Sequence, residues 1–133
     1  MNRIQGKIKD VKVSGSLSLV TVELSDRTLL KSIVIDTPDT ASYLEIDREI
    51  HVLFKETEVV IGLDQDHQIS LQNRIAGHVS LIEKGALISK IVIKTKVGEI
   101  TAVISSNAVN QLNLEESLFI IAMIKLNEIM LSA

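Results

Sequence analysis

The chain has 133 residues and a net charge of −3, hydrophobic residues make up 46% of it, and only 2% of its residues are aromatic. An acidic chain with so few aromatic side chains lacks the basic groove and the stacking platforms that binders of single-stranded nucleic acid use. The absence of cysteine excludes a disulfide framework, a thiolate metal site and a cysteine nucleophile. No apolar run is long enough to cross a membrane and no signal peptide is recognisable, so we expect a cytoplasmic protein without membrane insertion.

The sequence contains an internal repeat. Residues 2–8 read NRIQGKI, residues 73–79 read NRIAGHV, and the apolar alternation that follows stays in phase between the two copies. Further along, the offset between matched residues drifts only slightly, as small loop insertions would cause. We therefore predict two duplicated units, residues 1–63 and residues 70–133, joined by a short polar linker. Because each unit has a small core, we expect the two to pack together.

In chain order, the first unit is predicted to contain three strands, a short helix and two more strands. The helix begins within DTPDTASYL, where Thr37 is a suitable N-cap and Pro38 suits the first helical position. The two strands after the helix end in FKETEVVIG, residues 54–62.

The second unit follows the same order more clearly. NRIAGHVSLIEKG and ALISKIVIKT alternate as strands, with Gly85 marking a turn or bulge, and a hairpin turn at 96–99 leads to a third strand, ITAVIS. The helix SNAVNQLNL is capped by Ser105 or Ser106, and the strands LFIIAMIK and NEIMLS close the unit.

Five strands with a short helix between the third and the fourth are the order of a small Greek-key barrel of the OB type. The sequence therefore predicts an all-β fold of two tandem OB-fold-like, five-stranded barrels, each with one short helix. A pair of SH3-like barrels or a β-sandwich is the alternative.

Several motifs of the second unit resemble the Mop domain of molbindins, a TOBE-like domain. They are Ser70-Leu71-Gln72-Asn73, Gly77, Lys84-Gly85-Ala86, Thr101-Ala102-Val103-Ile104-Ser105, Leu112-Asn113-Leu114 and Ile124-Lys125. The first unit keeps Asn2, Gly6, the TPDT run at 37–40 and Phe54-Lys55, and lacks the Lys-Gly-Ala turn. The chain thus resembles a tandem Mop-domain, molybdate-binding protein.

This resemblance implies two Mop-type barrels that bind molybdate or tungstate as intact oxyanions, for storage, buffering or homeostasis. It implies that the anions are held at interfaces between units of a homo-oligomer, with a trimer favoured and a dimer or hexamer possible. We expect no metal cation cofactor and, from the charge and composition, no nucleic-acid partner.

Hydrogen-bond donors that recur in both units are the candidates for holding the oxyanion. Lys55 and Lys125 occupy matching strand ends, where each can supply one cation. Thr37 and Ser105 stand where a strand enters a helix, so that hydroxyl and free N–H groups come together. The full set of expected oxyanion-binding residues is Lys55, Lys125, Ser70, Gln72, Asn73, Ser105, Ser106, Thr37 and Thr40.

These residues also have plainer interpretations. A lysine at a strand end is often only a solvated charge, and a serine or threonine before a helix is often only a cap. Gln72 stands where the family has arginine, and Ala108 stands where the family has a second hydroxyl. These two departures favour the alternative function, a regulatory or assembly module that has lost or weakened anion binding.

The sequence does not indicate an enzyme. His51, His67 and His78 are scattered without metal-ligand spacing. No Ser-His-Asp arrangement and no phosphate-loop glycine pattern is legible.

Overall fold

The computed structural model describes residues 1–133, most of which form ten β-strands. The strands are β1 (Asn2–Ser14), β2 (Leu17–Leu24), β3 (Leu29–Val34), β4 (Glu49–Phe54), β5 (Val60–Leu63), β6 (Asn73–Lys84), β7 (Ile88–Thr95), β8 (Gly98–Ser105), β9 (Phe119–Ile124) and β10 (Met130–Ser132). One α-helix, α1 (Ser106–Gln111), lies between β8 and β9. Single 3₁₀ turns at Glu56–Glu58 and Leu126–Glu128 precede β5 and β10.

The strands form two five-stranded antiparallel sheets, with strand orders β10-β4-β1-β2-β3 and β5-β9-β6-β7-β8. Burial alternates along the first strand of each sheet, as a strand with one face on a core requires. In β1, for example, Ile4 and Ile8 point inward while Arg3 and Lys7 are exposed. The predicted all-β fold with two five-stranded units is confirmed.

Each sheet takes its fifth strand from the other half of the chain. β5 leaves the first half and pairs with β9, matching Val60 with Met123. β10 returns from the second half and pairs with β4, matching Met130 with Leu53. The division into units 1–63 and 70–133 remains a prediction about the duplication. Each sheet contains strands from both of these units.

The core is continuous between the halves. A single cluster of 24 buried hydrophobic residues draws on strands of both sheets and on α1. The residues that lead into the exchanged strands, Val59 and Ile129, are both buried in it. The buried Ser32 hydroxyl donates to the Ile129 carbonyl at 2.7 Å and ties the second half to β3.

The repeated glycine of the NRI motif allows close packing between strands. A Cβ on Gly77 would lie 2.6 Å from the Lys94 carbonyl oxygen, and one on Gly6 would lie 2.9 Å from the Glu23 carbonyl oxygen. A bulge follows each glycine, between Ile8 and Asp10 in β1 and at the matching place in β6, and bends the strand.

The helix expected in the first unit is absent, which corrects the prediction of one helix per unit. The segment from Thr37 makes a single turn, in which the Ala41 N–H donates to the Thr37 carbonyl at 2.9 Å. The segment from the predicted cap to the next strand runs from Thr37 to Glu49 in the first unit and from Ser105 to Phe119 in the second. It is two residues shorter in the first unit. That shorter segment has no room for the second helical turn that α1 makes.

None of the helices in the chain has the length and apolar content that crossing a membrane requires.

Candidate functional site

The strand that opens each half is tied to the other half by an asparagine side chain. The Asn73 amide accepts a hydrogen bond from the Lys31 backbone N–H at 2.7 Å and donates one to the Lys31 carbonyl at 2.8 Å. The Asn2 amide makes the same pair of bonds to the Thr101 backbone, at 2.8 and 2.9 Å. We call these contacts the Asn73 junction (Asn73 with Lys31) and the Asn2 junction (Asn2 with Thr101). Each asparagine occupies backbone groups on an edge strand that would otherwise be open to another strand.

The two expected lysines lie beside these junctions. The register between β6 and β9 pairs Ile124 with Asn73, so Lys125 is one residue beyond the Asn73 junction. The register between β1 and β4 places Lys55 next to the Asn2 junction in the same way. Both lysines are exposed, and neither takes part in an ion pair within the chain. Their ammonium groups are therefore available to an external anion.

Arg74 positions the segment that precedes β6. Its Nε donates to the Leu71 carbonyl at 2.8 Å, and its Nη2 donates to the His67 carbonyl at 2.7 Å. These bonds fold residues 67–71 back along the start of β6, which leaves Ser70 exposed beside the Asn73 junction. Sequence reasoning assigned no role to this arginine.

A cleft of about 330 Å³ opens at the Asn73 junction. Its lining consists of Leu29, Lys31, Ile69, Leu71, Gln72, Asn73 and Arg74. The charged groups of this lining are all cationic, and no carboxylate is among them, so the cleft suits an anion. Elsewhere in the chain, no group of three His, Asp or Glu side chains is arranged to hold a metal ion.

The serines at the start of α1 serve the fold as well as offering hydroxyls. Ser105 is the N-cap, and its exposed hydroxyl oxygen accepts from the Ala108 N–H at 3.0 Å. Ser106 is buried, where its hydroxyl donates to the Gly85 carbonyl at 2.7 Å and lies 2.7 Å from the Ser89 hydroxyl. Ser106 thus anchors α1 to the turn between β6 and β7, while Ser105 keeps its hydroxyl hydrogen for another partner.

Replacing Ser105 with alanine is expected to lower the free energy of unfolding by about 1 kcal/mol, because α1 loses its side-chain cap. Chemical denaturation of the wild type and the Ser105→Ala variant measures this difference. A loss close to zero would show that the hydroxyl does not act as a cap in solution.

In the first half, the Thr40 hydroxyl, expected to bind an anion, is engaged within its own turn. The Thr40 hydroxyl accepts from the Thr37 N–H at 2.8 Å and donates to the Asp36 carboxylate at 3.0 Å. Burial, and then the nearby Asp36 carboxylate, raise the pKa of the Tyr43 hydroxyl above its ordinary value of 10.0. The carboxylate makes this turn less suitable for an anion than the start of α1.

The expected oxyanion-binding residues form separate groups in one chain. Ser70, Gln72, Asn73 and Lys125 surround the Asn73 junction, whereas Ser105 and Ser106 lie at the other end of their sheet. β6 spans roughly 35 Å between the Asn73 junction and the turn that Ser106 contacts. A tetrahedral oxyanion that touched both groups would therefore need a second copy of the chain.

The second half of the chain matches a known family. Residues 69–131 match the family model described as the TOBE domain. This half of the chain is therefore similar to TOBE domains. The TOBE domain holds six of the expected residues, which are Ser70, Gln72, Asn73, Ser105, Ser106 and Lys125. Thr37, Thr40 and Lys55 lie outside it.

The fold of the whole chain, TOBE domain and first half together, is that of a solved structure. A crystal structure of the cytoplasmic molybdate-binding protein ModG, with molybdate bound, aligns with a TM-score of 0.89 at 24% sequence identity. The alignment covers 99% of this chain and 95% of ModG. The predicted tandem Mop-type architecture is confirmed.

Two further solved structures each align with 44% of this chain and 88% of their own. They are a molybdate-binding protein from Sporomusa ovata, with 32% identity and a TM-score of 0.43, and MopII from Clostridium pasteurianum in an apo form, with 29% identity and a TM-score of 0.42. Among curated proteins, none matches the sequence.

One residue of the cleft was missed by sequence reasoning. Lys31 lies outside the TOBE domain and yet lines the cleft at the start of that domain, because Asn73 holds its backbone there. The signal was present in the repeat, where Lys31 takes the place that threonine occupies in the Thr101-Ala102 motif.

Proposed function

We propose that this chain is a cytoplasmic, non-enzymatic protein that binds molybdate or tungstate as intact oxyanions and serves their storage, buffering or homeostasis. The anions bind at interfaces between units in a homo-oligomer. Of the nine expected residues, Lys125 and Lys55 supply the cations, and Ser70, Gln72, Ser105 and Thr37 supply hydroxyl or amide groups. The side chains of Asn73, Ser106 and Thr40 are bonded within the chain and hold the backbone around those donors.

The observation that carries this proposal is the cleft at the Asn73 junction, whose two charged lining residues, Lys31 and Arg74, are both cationic in a chain of net charge −3. Lys125 lies beside this cleft without an ion pair. A tetrahedral dianion gains most from donors that are already oriented and not neutralised by carboxylates. ModG, which has the same fold, is described as a cytoplasmic molybdate-binding protein, and this supports the choice of oxyanion and compartment.

The separation of the donor groups supports a homo-oligomer. Ser105 and Ser106 lie too far from Lys125 in one chain to share an oxyanion with it, and a neighbouring copy can supply the missing group. Enclosure between copies also removes the anion from water, which strengthens each charged hydrogen bond.

Isothermal titration calorimetry with molybdate, tungstate, sulfate and phosphate tests the proposal, with oligomer mass recorded by light scattering. We expect micromolar or tighter binding of molybdate and tungstate, little response to sulfate, and a mass above that of one chain. Because Lys125 supplies a charged hydrogen bond, Lys125→Ala is expected to weaken its sites by about tenfold to a hundredfold.

Lys12→Ala is the matched control, because it removes the same charge from an exposed position near the far end of β1. It is expected to bind like the wild type. A folded oligomer that gives no heat with any of the four anions would refute the proposed function.

A second candidate function is a regulatory or assembly module with weakened anion binding, and Gln72 favours it. Glutamine supplies no cation where the family has arginine. An oligomer that forms normally but binds oxyanions only at millimolar concentration would favour this candidate.

A further inference from the structure

The two junctions have the same backbone geometry. Asn73 holds the backbone of Lys31, and Asn2 holds the backbone of Thr101, with distances that agree within 0.1 Å for each type of bond. The backbone therefore has the same arrangement at both junctions, as expected for two halves related by duplication. Any difference between the two junctions comes from the side chains placed on that backbone.

The side chain at the held position differs in charge. Lys31 is exposed and forms no ion pair, and alternation in β3 turns it away from the buried Leu30 and Ser32 towards the cleft. Thr101 occupies the matching place in β8 and carries no charge. The Asn73 junction thus has a lysine cation that the Asn2 junction lacks.

Two neighbouring positions increase this difference. Leu29 in β3 corresponds to the exposed Glu99 in β8, so a carboxylate lies beside the Asn2 junction and none at the matching place of the other. Leu126 corresponds to Glu56, whose carboxylate lies 3.7 Å from the Met1 ammonium nitrogen.

The cleft at the Asn73 junction also differs from four other clefts of similar volume. Each of those has at least one glutamate in its lining, such as Glu83, Glu115 or Glu116. Repulsion between a carboxylate and a bound dianion opposes binding, whereas additional cations favour it. Among these five clefts, the one at the Asn73 junction therefore presents the least opposing charge to a dianion.

We infer that the two junctions are unequal in function. The Asn73 junction holds the tight oxyanion site, with at most one such site per chain, and the Asn2 junction binds weakly. Lys31, which reaches the site from the first half, supplies the cation that Gln72 does not. This inference rests on the proposed function and assigns its tight sites to one of the two junctions.

The experiment compares the wild type with Lys31→Thr, which places the residue of the Asn2 junction in the Asn73 junction. Calorimetry with sodium molybdate measures the dissociation constant and the number of tight sites per chain. Lys12→Thr is the charge-matched control, at an exposed position far along β1. A third variant, Thr101→Lys with Glu99→Leu, transfers the charges of the Asn73 junction to the Asn2 junction.

We expect Lys31→Thr to weaken the tight sites by tenfold or more and Lys12→Thr to leave them unchanged. The transfer variant is expected to add tight sites. Thermal unfolding of Lys31→Thr and Lys12→Thr should match the wild type, since both lysines are exposed. General charge attraction would weaken binding equally in Lys31→Thr and in Lys12→Thr, whereas loss of a specific oxyanion site would appear in Lys31→Thr alone. The titrations are repeated with added sulfate at constant ionic strength, so that the ionic strength does not contribute to the difference.

Two equal tight sites per chain in the wild type would overturn the inference, and so would equal affinities for Lys31→Thr and Lys12→Thr. Either result would leave the proposed function intact, because the wild type would still bind. A wild type that binds none of the oxyanions would overturn the inference and the proposed function together.

Discussion

Residues 1–65 or residues 66–133, expressed alone, are expected to give no folded monomer. Each half would keep four strands of its sheet and lose the fifth, which the other half supplies. The first half would lose β10 from the edge of β4, and the second would lose β5 from the edge of β9. The backbone groups of β4 and β9 would then be open to water along an edge that is normally paired.

The loss of hydrophobic burial is larger than the loss of edge hydrogen bonds. Ile129 is buried against the first half, and Val59 lies in the same shared core. Removing a buried aliphatic side chain of this size costs about 2–5 kcal/mol, which is comparable to the whole stability of a domain with so few residues. A half chain is therefore expected to unfold or to associate with a second copy that replaces the missing strand.

Circular dichroism and light scattering on each half, and on the two halves mixed, measure this result. The control is the intact chain cut by a protease at a site inserted between Gln65 and Asp66. Both residues are exposed and lie outside every strand, so the cut chain should stay folded. Cooperative unfolding of either half as a monomer would contradict the prediction, whereas recovery of structure on mixing would support it.

Much of the fold was predictable because local patterns report local structure. The alternation after Asn73 predicted β6 and β7, Gly98 and its neighbours predicted the hairpin, and Ser105 predicted the cap of α1. Each depends on residues close together in the sequence.

The exchange of strands was not predictable from the same patterns. Residues 60–63 and 130–132 form strands of only four and three residues, whose sequences do not show which sheet edge each strand joins. The two units are alike, so each final strand suits either sheet by sequence. Only the path of the chain and the packing of Val59 and Ile129 decide between them.

The candidate site was predictable only in part, for a similar reason. Gln72 and Lys125 belong to motifs, and each adjoins one member of the Asn73–Ile124 pair in a single strand register. Lys31 belongs to the other half, and it reaches the cleft because the Asn73 side chain binds its backbone. A contact made by a side chain across the duplication leaves no periodic pattern in the sequence.

Asn73→Ala is expected to lower the free energy of unfolding by about 2–4 kcal/mol. The variant removes two hydrogen bonds and leaves the Lys31 N–H and carbonyl without partners at a part-buried position. Asn73 is 1% exposed, so water cannot simply take the place of its amide. Chemical denaturation gives the difference, and Asn107→Ala is the matched control because Asn107 is exposed on α1.

Asn107→Ala is expected to change the free energy of unfolding by less than about 0.5 kcal/mol. The pair Asn2→Ala and Asn73→Ala then tests whether the two junctions stabilise the chain independently. They lie at different contacts between the halves and share no partner, so their effects should add within about 0.5 kcal/mol. A loss below about 1 kcal/mol for Asn73→Ala would mean that relaxation satisfies the Lys31 backbone in another way. A clear departure from additivity would mean that the junctions open together, as one contact between two halves that move as rigid units.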